Sequence, residues 1–177
     1  FVNEKGKLRL KKTEMHNRKG WNRALVAADL DGDGDQDIIS GNYGRNGFFH
    51  ASEKEPLRAY AKDYDGNGLQ DLVLSQYRPS RPHGPMQEYP VALRDAMAEE
   101  LPQVRRFFGN YNAYAKATTA DLLNQFNRKD EYRAEVNQME SGWWENQGNL
   151  YFVFHAFPVE AQLAPLRGIY CADLSQD

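Results

Sequence analysis

Two short acidic stretches of one design constrain this chain more than anything else in it. The first reads Asp29-Leu-Asp-Gly-Asp-Gly-Asp-Gln-Asp37 and the second Asp63-Tyr-Asp-Gly-Asn-Gly-Leu-Gln-Asp71. Counted from the first Asp, positions 1, 3, 5 and 9 are Asp29, Asp31, Asp33 and Asp37 in one, and Asp63, Asp65, Asn67 and Asp71 in the other. Position 6 is Gly34 or Gly68. Alternate residues of a tight loop point their carboxylates at one centre, and carboxylates so crowded repel one another unless a cation joins them. Calcium is the cation that suits them, because it takes roughly six to eight oxygens at about 2.3–2.6 Å. Glycine at position 6 gives the sharp turn where a Cβ would obstruct. The backbone carbonyl of position 7, Asp35 or Leu69, then faces the ion, and Asp35 adds a further acid to the first loop. The first loop is therefore expected to bind more tightly than the second. A polar turn without metal is the competing reading of either stretch alone. Two copies with glycine in register favour calcium, in a structural role.

The flanks indicate what the loops connect. Leu25-Val-Ala-Ala28 precedes the first and Ile38-Ile-Ser40 follows it; Leu57-Arg-Ala-Tyr-Ala61 precedes the second and Leu72-Val-Leu-Ser75 follows it. Short apolar, β-branched runs on both sides of a turn predict strand, loop, strand. An EF-hand needs an acidic bidentate ligand at position 12 and helices on both sides. Position 12 is Ser40 or Leu74, so that class is excluded. The loops begin 34 residues apart, at 29 and 63, which predicts an internal repeat. A third copy begins at Ile169-Tyr-Cys-Ala-Asp173, with Ser175 and Asp177 in the ligand positions. Asn3-Glu-Lys-Gly6 before the first loop and Glu145-Asn-Gln-Gly148 before the third support the same repeat.

Between the second and third copies the character changes. Residues 78–90 are rich in Pro, Arg and Gly and predict an irregular connection. Residues 91–108 predict a helix, since Leu93, Met97, Leu101, Val104 and Phe108 share one face and Pro102 is placed to kink or split it. Residues 119–126 predict a second helix capped by Thr118 or Thr119. Strands are expected again at 132–140, 142–146 and 150–157, with a turn at 147–149. The division that follows is 1–77 for the first strands and both loops, 78–130 for a helical insertion, and 131–177 for further strands and the third loop.

Composition narrows the classes of function. The net charge is −3, from 22 Lys and Arg against 25 Asp and Glu; with no basic field, nucleic acid is not expected as a partner. Cys171 is the only cysteine, so no disulfide forms within the chain. No apolar run approaches the roughly 18 residues of a membrane span. The chain opens on Phe1 rather than Met, which reads as a processed or excised piece. His16, His50, His83 and His155 are scattered and belong to no catalytic motif. Trp21, Trp143 and Trp144 fit packing between sheets, or else stacking on a sugar or partner.

These residues resemble the FG-GAP/VCBS repeat family of β-propellers, which includes the calcium-bearing blades of integrin α subunits. The resemblance rests on residues 26–42 and 63–74. It extends to a secreted bacterial VCBS type through the Gly-Asn-x-Gly-x-Asn stretch at 41–46, the Ser-Glu-Lys-Glu-Pro stretch at 52–56 and Arg94-Asp95. It implies a mainly β fold of partial propeller blades, four-stranded and antiparallel, with an inserted α-helical segment. It also implies calcium in each blade and an extracellular or cell-surface setting. Propellers have about four to eight blades, so a fragment of a longer propeller is expected, with blade edges open to self-association. The function expected is a non-enzymatic binding or scaffold module for a protein or glycan. The alternatives are a fragment of a carbohydrate-active or other extracellular enzyme with its active site elsewhere, and a purely structural repeat.

Overall fold

The computed structural model describes residues 1–172; the expected third loop, Asp173, Ser175 and Asp177, lies outside the described residues. The fold is mainly β. A short hairpin comes first, β1 (Val2–Glu4) with β2 (Lys7–Arg9). The next strands are β3 (Ala24–Ala28), β4 (Asp37–Gly41), β5 (Leu57–Lys62), β6 (Asp71–Pro79) and β7 (Met86–Pro90). Four short helices follow: α1 (Arg94–Glu100), α2 (Val104–Phe107), α3 (Tyr111–Lys116) and α4 (Thr119–Leu123). The chain then returns to strand in β8 (Tyr132–Val136), β9 (Gly142–Asn146) and β10 (Phe152–Ala156).

Two four-stranded antiparallel sheets result, in the orders β10-β9-β4-β3 and β7-β6-β5-β8. The chain divides into two units on this basis. One holds residues 1–48 and those from 138 onward, and the other is 49–137. The expected division at 77 and 130 follows chain order, whereas the units follow sheet membership. β9 pairs with β4, so the first sheet is a meander interrupted between its second and third strands, and the segment placed there is 49–137 rather than 78–130.

Residues 78–90 form strand at both ends instead of an irregular connection. β6 and β7 pair from Ser75↔Pro90 to Pro79↔Met86. Pro79 and Pro90 sit at strand ends and Pro82 and Pro85 in the turn between the strands, where a missing N–H costs no ladder bond. The helix expected over 91–108 breaks into α1 and α2 at Pro102, which cannot supply the helical N–H. α3 was not expected. Asn110 caps it by accepting the Ala113 N–H at 2.9 Å. α4 ends at Leu123, short of 126, and Thr118 caps it in a box with Asp121. The strand expected over 132–140 stops at Val136, and that over 150–157 is Phe152–Ala156.

The core of the second unit joins one sheet face to the helices. Tyr60 and Val73 pack with Met97, Leu101, Val104, Leu122 and Leu123. Leu93, expected on the same face, precedes α1 as its cap and is 80% exposed. In the other unit Trp144 is buried against Phe154, with ring centroids 5.0 Å apart. Trp143 stacks on His155 at 4.7 Å and Trp21 on Tyr43 at 5.8 Å.

A buried polar hub holds the first sheet to its surroundings. Asn42 Nδ2 donates to the carbonyls of Gln138 (3.0 Å) and Glu140 (3.3 Å), and its Oδ1 accepts from the N–H groups of Trp21 and Tyr43. Gln162 brackets Ser141, accepting its N–H at 2.9 Å and donating to its carbonyl at 2.8 Å. Fully paired groups of this kind cost little to bury, whereas removing one partner strands the others.

Candidate metal centres

Both acidic loops sit at hairpin turns, the first between β3 and β4 and the second between β5 and β6. Strands on both sides agree with the exclusion of an EF-hand. Within each loop the first Asp organises the backbone. Asp29 Oδ1 accepts the Gly32 N–H (2.8 Å) and its Oδ2 the Gly34 N–H (3.0 Å). Asp63 repeats this with Gly66 (2.7 Å) and Gly68 (2.9 Å). The turn needs left-handed backbone at positions 4 and 6: φ is 78° and 94° at Gly32 and Gly34, and 79° and 88° at Gly66 and Gly68. Only glycine adopts this without strain.

The last Asp closes each loop from the first residue of the following strand. Asp37 is 1% exposed; its Oδ2 accepts the Leu30 N–H and its Oδ1 the Asn146 N–H of β9, at 2.9 and 2.8 Å. Asp71 is likewise buried and accepts the Tyr64 N–H at 2.8 Å. Tyr64 in turn donates its hydroxyl to Glu131 at 2.8 Å.

Two acidic groups come together among the described residues. In Asp29, Asp31 and Asp37, and again in Asp63, Asp65 and Asp71, one carboxylate oxygen from each residue lies within 4.8 Å of the others. Oxygens sharing an ion at about 2.3–2.6 Å are at most about 5.2 Å apart, so both groups fit one calcium. The donors are all oxygen, which suits a hard cation rather than zinc. Asp33 and Asp35 do not belong to the first group. Asp33 Oδ1 accepts the Asp35 N–H at 2.8 Å, and both residues are exposed. Asn67 donates to Asp65 at 3.2 Å and accepts the Leu69 N–H at 2.7 Å, which places it beside the second group. Leu69 is 71% exposed.

The charge balance within the loops is uneven. Desolvation raises the Asp31 carboxyl, and the charges of Asp33, Asp37 and Asp29 add to the rise. Desolvation raises Asp71 too, aided by Asp65 and Asp63. Asp63 is held below its usual value, chiefly by the Gly68 N–H. Two of the six grouped carboxylates are thus disfavoured as anions by the fold itself, and a bound cation removes that penalty.

The link from Asp37 to Asn146 has no signature in the sequence. Its partners are 109 residues apart, and no local pattern announces them. Asn42 stood within the Gly-Asn stretch quoted for the family, but its role as a hub becomes visible only in the fold.

Antiparallel four-stranded sheets whose hairpins turn through Asp-rich, glycine-kinked loops define a propeller-like repeat. Residues 21–52 match the model of the FG-GAP repeat family. The matched segment spans β3, the first loop, β4 and Asn42. The second loop lies beyond it and shares its hydrogen-bond pattern. Neither the curated proteins nor the solved structures contain a match to this chain.

Proposed function

We propose that each acidic loop binds one Ca2+ and that the chain serves as a calcium-stabilised, non-catalytic binding or scaffold module of an extracellular or cell-surface protein, recognising a protein or glycan. The observation that carries this is the shared geometry of the two loops: the same three carboxylates, the same glycines and the same closing Asp. Calcium supplies charge neutralisation at the turn. Asp29 and Asp63 shape the backbone, Asp31 and Asp65 extend the oxygen set, and Asp37 and Asp71 tie it to the next strand. FG-GAP repeats belong typically to extracellular proteins, which supports the setting. Among the described residues no helix is long and apolar enough to cross a membrane.

Calorimetry with calcium, paired with thermal unfolding in calcium and in chelator, tests the metal claim. Stabilisation by ligand grows with concentration and reaches about 2.7 kcal/mol per site when free calcium is about 100-fold above its dissociation constant. Asp71→Asn is expected to cross over. It relieves repulsion and raises the melting temperature in chelator, and it removes a ligand charge and lowers the melting temperature in calcium. Absence of binding heat together with identical melting curves in calcium and chelator would overturn the reading.

A further inference from the structure

Asparagine is followed by glycine twice in this chain, at Asn46-Gly47 and at Asn67-Gly68. The fold asks for the glycine at both places. A Cβ on Gly47 would stand 2.0 Å from the ring of Tyr43, and Gly68 has a φ of 88°, in the left-handed region. Asparagine is a thermolabile residue, and a glycine after it removes the side chain that would shield the next backbone nitrogen from its amide. That nitrogen attacks Asn Cγ, the Cγ–Nδ2 bond breaks, and the amide nitrogen leaves as ammonia with the proton of the attacking N–H. Water then opens the succinimide ring at either carbonyl. One opening leaves an ordinary Asp; the other leaves a β-linked Asp that lengthens the backbone by a carbon.

The attack needs a free backbone nitrogen, a free side-chain amide and a chain loose enough to join them. At Asn67 all three are tied down. The Gly68 N–H is held by Asp63 Oδ2 at 2.9 Å, and the negative charge of that carboxylate opposes loss of the N–H proton. The Asn67 side chain accepts the Leu69 N–H at 2.7 Å and donates to Asp65 at 3.2 Å. Its own N–H donates to Asp63 and Asp65, each at 3.0 Å. At Asn46 the ties are few. Nδ2 reaches the Leu163 carbonyl at 3.4 Å, and the backbone N–H reaches the Gln162 carbonyl at 3.3 Å. Among the described residues the Gly47 N–H has no hydrogen-bond partner. Asn46 is exposed, in a bend outside any strand or helix.

We propose that Asn46-Gly47 is a site of spontaneous deamidation, and that the second acidic loop protects Asn67-Gly68 from the same reaction. Local structure, not sequence, separates the two. The new carboxylate at residue 46 faces the Leu163 carbonyl, and the β-linked form lengthens the chain beside the bond to Gln162. The reaction therefore loosens the seat of the segment at 162–163.

Incubation of the whole chain at mildly alkaline pH, in chelator so that no ion adds to the protection, tests this by peptide mapping with mass spectrometry. Conversion at Asn46 is expected to run at least about tenfold faster than at Asn67, because the charge-assisted bond from Gly68 must open before Asn67 can react. In concentrated guanidinium chloride the two steps are expected to react at similar rates. Asn46→Gln, which cannot close the same ring, is expected to remove the fast conversion from the folded protein. Asn67 converting as fast as Asn46 in the folded protein overturns the inference. So does an Asn46 that reacts in denaturant and stays intact in the folded protein. Neither outcome depends on calcium, so failure here leaves the metal reading standing.

Discussion

Asp37 carries more of the first unit than its place in an acidic turn suggests. It is buried, and both its oxygens accept backbone N–H groups, one from its own loop and one from β9. Alanine there leaves two donors without partners; each is only partly buried, so each costs about 1–2 kcal/mol, toward the low end of the range for a buried group. Asp37→Ala is therefore expected to destabilise the first unit by about 2–4 kcal/mol in chelator, where no metal contributes. Asp33 sits in an exposed turn and receives only the Asp35 N–H, so Asp33→Ala costs less than about 1 kcal/mol under the same conditions. Chemical denaturation of both variants in chelator checks this, and equal losses would contradict it. In calcium the first loop's ligands become coupled through its own ion, and the gap between the variants is read against that state.

At the scale of elements, unit two is tied by a polar chain running from the second loop to the start of β8. Tyr64 follows Asp63, its hydroxyl meets Glu131, and Arg128 grips the same carboxylate at 2.7 and 2.9 Å. Burial pushes the Glu131 carboxyl up, but the hydrogen bonds from Arg128 and Tyr64 outweigh it, and it lies below its usual value. A depressed carboxyl contributes stability that is present above its unfolded pKa of about 4.3 and is lost as pH falls through the folded value. Glu131→Gln is accordingly expected to lower the stability of the second unit near neutrality and to flatten its acid limb; two-probe unfolding against pH measures both. The hairpins around the two acidic loops, the β9–β10 turn, the loops themselves and α4 with its cap were legible in the sequence, because each depends on spacing within about ten residues. The strand pairing was not. The β4–β9 partnership spans a whole unit, and residues 78–90 looked irregular because proline content says nothing about which strand edge is free. α3 was missed because its cap, Asn110, precedes a stretch too short to show periodicity. The three grouped carboxylates of each loop follow from their spacing, while the separation of Asp33 and Asp35 from the first group depends on the path of the backbone.

The whole molecule is one unit placed within the chain of another. Gly44 donates its N–H to the Met139 carbonyl at 2.7 Å, and Asn42 reaches Gln138 and Glu140, so the two stretches flanking the inserted segment lie side by side within the first unit. Insertion at such a place leaves the host able to fold without its guest. Replacing residues 49–137 with a short Gly-Ser linker is expected to leave a cooperatively unfolding first unit, with slowly exchanging amides in β3, β4, β9 and β10. Loss of that protection would show that the two units are not independent. The order of synthesis gives the Asp37–Asn146 bond a further meaning. A nascent chain emerges from its N-terminus, and segments fold as their partners arrive. β8 completes the second sheet at Val136, before β9 exists. Asp37 must wait for a partner 109 residues downstream. The hairpin that bears the first loop is therefore sealed only when β9 arrives, and during that interval the unpaired edge of β4 is the place where a wrong strand can dock.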